Sequence, residues 1–292
     1  MSLTNQPGNK TLHWVNFTIT HLLLLFFTIL TLVPLIWMFV ASFKSEADFF
    51  ETLFLPQGEG FLGIGWGKLT LENYKTLIEG MPFIRYLMNS FFIAGMISVL
   101  GTLFAAMGGY ALAKFRFPGQ TFLMAVVLGA LIVPGVLLLA PGYQVIYFLG
   151  LLDTHAGVIL PALSPAFGVF LFRQAMLNAI PSDLLESARM EGCNEFQIFF
   201  LMVLPLVRPM AGAFILITFL GAWNNFITPS IILQSEDLYP ISLGIVQLQG
   251  LYGNEYGALM AGTVVAISPV VILFFFLQKE FISGLTSGAV KG

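Results

Sequence analysis

Six stretches of this chain run for 19 residues or more without Asp, Glu, Lys or Arg, and they strongly limit how the chain can fold. A helix that crosses the hydrocarbon core of a bilayer needs about 20 apolar residues, and a charge at its centre costs roughly 2.5 kcal/mol or more. With 58% hydrophobic and 9% charged residues, the chain has more apolar surface than one globule can bury, so its expected solvent is lipid. The charge-free stretches are 11–43, 86–113, 117–152, 154–172, 209–235 and 256–278.

Trimmed to helical length, these stretches predict an all-α integral membrane fold with six transmembrane helices in a single domain over residues 1–292. The apolar run 21–41 is too long for the core of a signal peptide, so we interpret it as a retained first span. The predicted spans lie near 19–42, 86–112, 121–143, 155–174, 207–229 and 257–279.

The distribution of Lys and Arg predicts the orientation, because cytoplasmic loops carry an excess of both. With the N-terminus inside, eight of the 12 Lys and Arg residues fall on inner segments and four fall in one outer loop. We therefore expect both termini in the cytoplasm, and residues 176–206 as the only long inner loop. The inner residues are Lys10, Lys114, Arg116, Arg173, Arg189, Arg208, Lys279 and Lys291, and the outer ones are Lys44, Lys68, Lys75 and Arg85.

Several function classes are disfavoured. Ion-coupled secondary transporters usually place ionisable groups inside the membrane, and no Asp, Glu, Lys or Arg lies at the middle of a predicted span. The stretch GIGWGK (63–68) is not a Walker A loop, since Leu62 and Leu69 stand where that motif needs Gly and Ser or Thr. No acid–base constellation indicates an enzyme. One Cys and three scattered His predict no metal site, and a net charge of −3 suggests no nucleic-acid partner.

The second predicted span is rich in small residues over 101–113. Small side chains let helix backbones approach closely in a bilayer. We interpret this run as a helix-packing surface rather than a ligand site.

Trp223, Asn224 and Asn225 form a polar cluster near the outer half of the fifth predicted span. An aromatic ring beside amides suits a sugar pathway, since sugars stack on rings and bond to amides. The alternative, which we favour, is an interfacial Trp with Asn side chains that hold helices together.

The inner loop contains PSDLLESARMEGCNEFQIFFLMVLP, residues 181–205, which predicts a helix–turn–helix. Pro181 suits a first helical turn, Ser182 or Asp183 can cap a helix over 183–191, and Gly192 is its natural stop. An ordinary amphipathic helix at the membrane surface fits the same pattern. Further expected features are an apolar face of Leu184, Leu185 and Ala188, a second cap from Asn194 with Gln197, an aromatic ridge of Phe196, Phe199 and Phe200, and a break at Pro205.

The loop also resembles the EAA loop of binding-protein-dependent ABC importer permeases. Its ESA-x3-G-x9-M-x-LP is similar to their EAA-x3-G-x9-I-x-LP, with Ser187 and Met202 as the two substitutions. The spacing is intact, and the matching residues are Glu186, Ala188, Gly192, Leu204 and Pro205.

Other segments resemble the carbohydrate, maltose-type subfamily of these permeases. They are the tail FLQKEFISGLTSGAVKG (276–292), the stretch LYGNEYGALMAGTVVAISPVVILF (251–274) and the segment LTLENYK (69–75). The resemblance implies the type I (MetI-like) permease fold and a transporter subunit of the bacterial or archaeal cytoplasmic (inner) membrane without its own nucleotide site. A permease for an amino acid or peptide is the closest alternative, and a secondary transporter or a channel is a more distant one.

The resemblance also implies partners and residue roles. The partners are a second homologous permease, two ABC ATPases that bind ATP and Mg, an extracytoplasmic solute-binding protein and a sugar, while this chain binds no cofactor. Residues Glu186, Ser187, Ala188, Gly192, Leu204 and Pro205 are implied to couple to the ATPase, and Gly284, Gly288 and Lys291 to contact it at the C-terminus. The binding protein is expected to meet Tyr239, Gln247, Gln249, Tyr252 and Asn254.

Overall fold

A computed structural model describes residues 8–251 and 256–289, and most of these residues are helical. Within these ranges the extended pairings are two isolated bridges, Lys44 with Leu69 and Gln57 with Ile64. The predicted all-α fold is therefore confirmed. The α-helices are α1 (Gly8–Ala41), α2 (Glu46–Phe49), α3 (Glu72–Gly80), α4 (Phe83–Lys114), α5 (Gln120–Ile132), α6 (Leu139–Phe148), α7 (His155–Ile159), α8 (Ala166–Ala179), α9 (Ser182–Met190), α10 (Glu195–Ile198), α11 (Leu204–Leu206), α12 (Arg208–Trp223), α13 (Ile227–Ile232), α14 (Ile241–Leu251) and α15 (Tyr256–Ala289).

Four helical segments in the described ranges are long and apolar enough to cross a membrane, and the number reaches six if each of two bent pairs is one span. The upper figure equals the number that the charge-free stretches predict. The four segments are Trp14–Ala41 in α1, Phe83–Lys114 in α4, His155–Ala179 over α7 and α8, and Tyr256–Phe276 in α15.

The third predicted span, 121–143, is not one straight helix. Helix α5 ends at Ile132, and the chain turns by 107° before it continues through a 3₁₀ turn into α6. Pro134 causes the break, because it has no N–H for the helix ladder and forces the preceding residue out of the helical region. Val133 accordingly has φ −75° and ψ 121°.

The fifth predicted span, 207–229, is also interrupted. Helix α12 ends at Trp223, and the short α13 begins at Ile227. Before α12, the segment Glu195–Leu206 meets it at Val207 with a bend of 81°. The bend follows Pro205, in agreement with the break that the sequence predicts there.

The chain divides into two compact units, of which the first is Met1–Gly80 with Tyr252–Val264. Asn73 closes the segment after α1 onto α3, because its Nδ2 donates to the carbonyls of Ser42 and Lys44, both at 2.8 Å. The Lys44 side chain is 1% exposed and its Nζ donates to the carbonyl of Thr52. Burial lowers the pKa of the Lys44 ammonium.

The second unit, Met81–Leu251 with Val265–Gly292, is built around α4, α8 and α12. A Cβ on Gly109 of α4 would lie 2.7 Å from the backbone nitrogen of Arg173 and from Cβ of Phe172 on α8. Ala105 and Ala106 are fully buried, at 0% exposure. The small residues of α4 therefore form the close-packing surface that the sequence predicts.

Candidate functional site at residues 176–206

Helix α9 begins one residue earlier than the sequence predicts, so neither Ser182 nor Asp183 caps it. Pro181 occupies the N-cap position with φ −64° and ψ 142°, and no side chain caps the helix. Ser182 is already helical, which removes it from the geometry that a capping side chain needs. The Ser187 hydroxyl instead donates to the carbonyl of Asp183, one turn back.

The turn after α9 depends on Gly192, as the sequence predicts. Gly192 has φ +87°, a left-handed conformation that glycine adopts without strain. The amide of Gly192 donates to the Arg189 carbonyl at 3.0 Å, and the amide of Cys193 donates to the Ala188 carbonyl at 3.1 Å. This pair of bonds is a Schellman motif, which satisfies the last carbonyls of the helix and turns the chain sharply.

Asn194 caps the second helix of the motif, α10. Its Oδ1 accepts from the amide of Gln197 at 2.9 Å, and Oε1 of Gln197 accepts from the amide of Asn194 at 2.9 Å. This is the capping box that the sequence predicts. The two caps define a rigid helix–turn–helix between α8 and α12.

One face of the motif packs inward. Leu185 and Ala188 are 2% and 5% exposed and join the core formed with α4 and α8. Leu184, expected on the same face, is 37% exposed. The residues of the predicted aromatic ridge do not share one environment. Phe199 is buried, at 3% exposure, whereas Phe196 is 67% exposed.

The opposite face of α9 is open. Glu186, Ser187 and Gly192 are all exposed, and Met190 is 87% exposed. A rigid helix with one face anchored and the other free can carry a force from a bound partner into the core. Of the remaining residues in the motif, Leu204 packs partly against the core and Pro205 is exposed.

A polar cluster joins α9, α10 and α4, and sequence reasoning did not single it out. Arg189 Nε donates to Glu195 Oε1 at 2.7 Å, and the Tyr110 hydroxyl donates to Glu195 Oε2 at 2.9 Å. The hydrogen bond that Arg189 donates to Glu195 raises the pKa of its guanidinium. The contact between Tyr110 and Glu195 joins residues 85 positions apart, so no local pattern could indicate it.

The predicted cluster at 223–225 has structural partners. Trp223 is 4% exposed, and its Nε1 donates to the carbonyl of Ala266 at 3.2 Å. Asn225 accepts from the amide of Thr228 at 3.2 Å and so holds the start of α13. Asn224 donates to the carbonyl of Leu220 within its own helix and remains exposed.

Of the residues expected to meet a binding protein, two have described side chains. The Tyr239 hydroxyl donates to the Gln234 carbonyl at 3.2 Å, and Gln247 accepts from the Tyr86 hydroxyl at 3.2 Å. Gln249 lies in α14. Tyr252 and Asn254 lie outside the described residues.

Of the three C-terminal residues expected to contact an ATPase, two belong to the described part of the chain. Gly284 and Gly288 are part of α15, and Lys291 lies outside the described residues. Over residues 8–251 and 256–289, no three His, Cys, Asp or Glu side chains lie close enough together to hold a metal ion.

Comparison with known proteins gives a family match and close relatives. The model of the family described as "binding-protein-dependent transport system inner membrane component" matches residues 9–286. An arabinooligosaccharides transport system permease protein of Bacillus subtilis is 39% identical over 274 residues, which are 92% of this chain and 95% of that protein. A lactose transport system permease protein of Rhizobium radiobacter is 32% identical over 262 residues, 90% of this chain and 92% of that protein.

The fold also matches a solved structure. A chain of a bacterial ABC transporter that imports the acidic polysaccharide alginate aligns with a TM-score of 0.77 and 22% identity. The alignment covers 96% of this chain and 100% of that chain. The predicted importer permease fold is therefore confirmed.

Proposed function

The chain belongs to the family of binding-protein-dependent transport system inner membrane components, and we propose that the solute it admits is a carbohydrate, in the form of an oligosaccharide. It is a multi-pass permease of an ABC importer. The observation that carries the choice of solute is the 39% identity, over 95% of its length, to an arabinooligosaccharides permease protein. The identity to a lactose permease protein supports the same solute class.

The proposed mechanism is alternating access driven by partner ATPases. The motif 176–206 faces the cytoplasm, and the exposed face of α9 rests on an ATPase subunit through Glu186 and Ser187. ATP binding draws the two ATPases together, and α9 transfers that movement to the helices on which it packs. The open face of α9 and the buried Leu185 and Ala188 support this role, since one helix then touches both the partner and the core.

The remaining partners follow from the same proposal. A second permease, a pair of ATPases carrying ATP and Mg, and an extracytoplasmic binding protein complete the importer, and this chain supplies no nucleotide site. Orientation with both termini in the cytoplasm is supported by the excess of Lys and Arg on the inner segments. The outer segment around Tyr239 then faces the binding protein.

Uptake by the reconstituted importer tests the proposal. The assembled complex in liposomes, supplied with ATP inside and an arabinooligosaccharide-loaded binding protein outside, is expected to accumulate the labelled oligosaccharide. Matched assays with a labelled amino acid and with ATP omitted are the controls. Uptake without ATP, or uptake of the amino acid in place of the oligosaccharide, would contradict it.

A further inference from the structure

Glu195 is bonded through both of its carboxylate oxygens, each to a different helix. Oε1 accepts from Arg189 Nε of α9 at 2.7 Å, and Oε2 accepts from the Tyr110 hydroxyl of α4 at 2.9 Å. Glu195 itself is the first residue of α10. One carboxylate therefore connects the two helices of the motif to a helix long enough to cross the membrane.

The Tyr110 end of this cluster is buried, whereas the ion pair of Arg189 and Glu195 is partly open to water. The Tyr110 residue is 4% exposed, and the side chains of Arg189 and Glu195 are each 38% exposed. Hydrogen bonds to an ionised group are roughly twice as strong as neutral ones. The Arg189 guanidinium also lies 6.0 Å from the ring centroid of Phe115, the C-cap of α4.

A second bond reaches the other side of α9 from the same end of α4. Lys114 Nζ donates to the carbonyl of Ile180 at 2.5 Å. Ile180 immediately precedes Pro181, the N-cap of α9. The last two turns of α4 thus hold the chain on both sides of α9.

Helix α4 is well placed to carry a displacement further. It packs closely on α8 at Gly109 and contributes the fully buried Ala105 and Ala106. The apolar contacts of α9, through Leu185 and Ala188, resist separation but have no preferred direction. The bonds at Glu195 have fixed geometry, so they resist sliding of the motif across α4.

We propose that the carboxylate of Glu195, held between Tyr110 and Arg189, is the joint through which movement of the helix–turn–helix is passed into α4. The inference rests on the proposed contact between α9 and an ATPase. Glu195 and Tyr110 act as positioning residues, because neither has to touch the ATPase or the solute. Loss of the joint leaves the ATPase bound and uncouples its ATP hydrolysis from uptake.

Two conservative variants test the joint. Tyr110→Phe removes only the hydroxyl, and Glu195→Gln removes the charge while it keeps the shape. Tyr147→Phe is the control for the first, since Tyr147 is 61% exposed on α6. Glu191→Gln is the control for the second, because the exposed Glu191 has no ion pair in the described part of the chain.

The readout is the number of solute molecules imported per ATP hydrolysed in the reconstituted importer. Both variants are expected to lower this ratio by about fivefold or more, the size of a typical coupling between sites. The double variant should be no worse than the poorer single one, because both changes act on the same side chain at position 195. A purely structural role would lower the amount of assembled complex and leave the ratio unchanged.

The single cysteine of the chain gives a readout that does not depend on transport. Cys193 lies between Gly192 and Asn194, inside the motif, and is partly buried. Loosening the motif is expected to raise the rate at which a maleimide labels Cys193 in both variants and in neither control. Wild-type ratios and wild-type labelling rates in both variants would overturn the proposal.

Glu186→Lys distinguishes a failure of the joint at Glu195 from a failure of the proposed contact between α9 and the ATPase. If Glu186→Lys loses the ATPase while Tyr110→Phe behaves as the wild type, only the joint at Glu195 is refuted. If Glu186→Lys keeps the ATPase with wild-type affinity, the assigned contact of α9 is refuted instead.

Discussion

The side chain of Asp153 holds the segment after α13 in place through hydrogen bonds. It has φ +53°, and one of its oxygens accepts from the amides of Gln234 and Ser235, both at 2.8 Å. The Ser235 hydroxyl donates to the other oxygen and, with these amides, lowers the pKa of Asp153. Because the bonds favour the charged form, the carboxylate stabilises the segment while it is ionised.

Replacing Asp153 with Ala should release this segment. Hydrogen exchange at the amides of Gln234 and Ser235 is expected to accelerate, because both lose their acceptor, while Glu236→Ala leaves it unchanged. The folded pKa is lowered, so the stabilisation is complete above the ordinary value of about 3.9 and is lost as the pH falls through the lowered pKa. If these two amides of the wild type already lose their protection from hydrogen exchange between pH 7 and pH 5, this role of Asp153 is contradicted.

Gly192 sets the angle between α9 and α10. Its φ of +87° costs a residue with a Cβ about 1–2 kcal/mol, so Gly192→Ala should distort the turn. If ATPase binding needs this geometry, the dissociation constant for the ATPase rises by about five- to thirtyfold. Gly221→Ala in α12, where a Cβ meets open space, is the control. An unchanged dissociation constant would show that ATPase binding does not need the geometry of this turn.

Helix α4 depends on the absence of a side chain at Gly109, where it packs on α8. A Cβ at Gly109 would lie 2.7 Å from backbone of α8, whereas a Cβ at Gly129 of α5 meets nothing within 4 Å. Gly109→Ala is therefore expected to lower the melting temperature of the protein in detergent. Gly129→Ala should leave it unchanged or raise it, because Ala is the better helix former by about 1 kcal/mol. Equal shifts in both variants would contradict the packing role of Gly109.

The elements differ in how far the sequence predicts them. Gly192 and the pair Asn194 and Gln197 follow local rules of turn and cap chemistry, and the structure has both. Helix α9 begins one residue before the predicted start because Pro181, and not Ser182, takes the N-cap position. The 107° bend within 121–143 comes from Pro134, whereas the charge-free stretch itself indicates affinity for lipid and contains no information about straightness.

Local rules of turn and cap chemistry do not predict contacts between residues that are far apart in the sequence. The bond from Tyr110 to Glu195 spans 85 positions, and that from Asp153 to Ser235 spans 82. Each depends on how whole helices pack. The sequence therefore predicts the candidate site as a segment, whereas its connection to the rest of the protein comes from the tertiary structure.

At the scale of the whole molecule, the chain is a membrane permease, and the surface helix α9 is its proposed coupling element. The family match over residues 9–286 establishes the permease. The proposed orientation and the proposed ATPase contact both place α9 at the cytoplasmic partner. Met190, which is 87% exposed on α9, marks the surface in question, and Phe61, which is 78% exposed, lies on the segment assigned to the opposite side of the membrane.

Photo-crosslinking from these two positions in the assembled importer tests the orientation and the contact most directly. A photoreactive residue at position 190 is expected to form an adduct with the ATPase subunit, and the same residue at position 61 is expected to form none. An adduct between position 190 and the binding protein, or between position 61 and the ATPase, would contradict the orientation and the coupling role together.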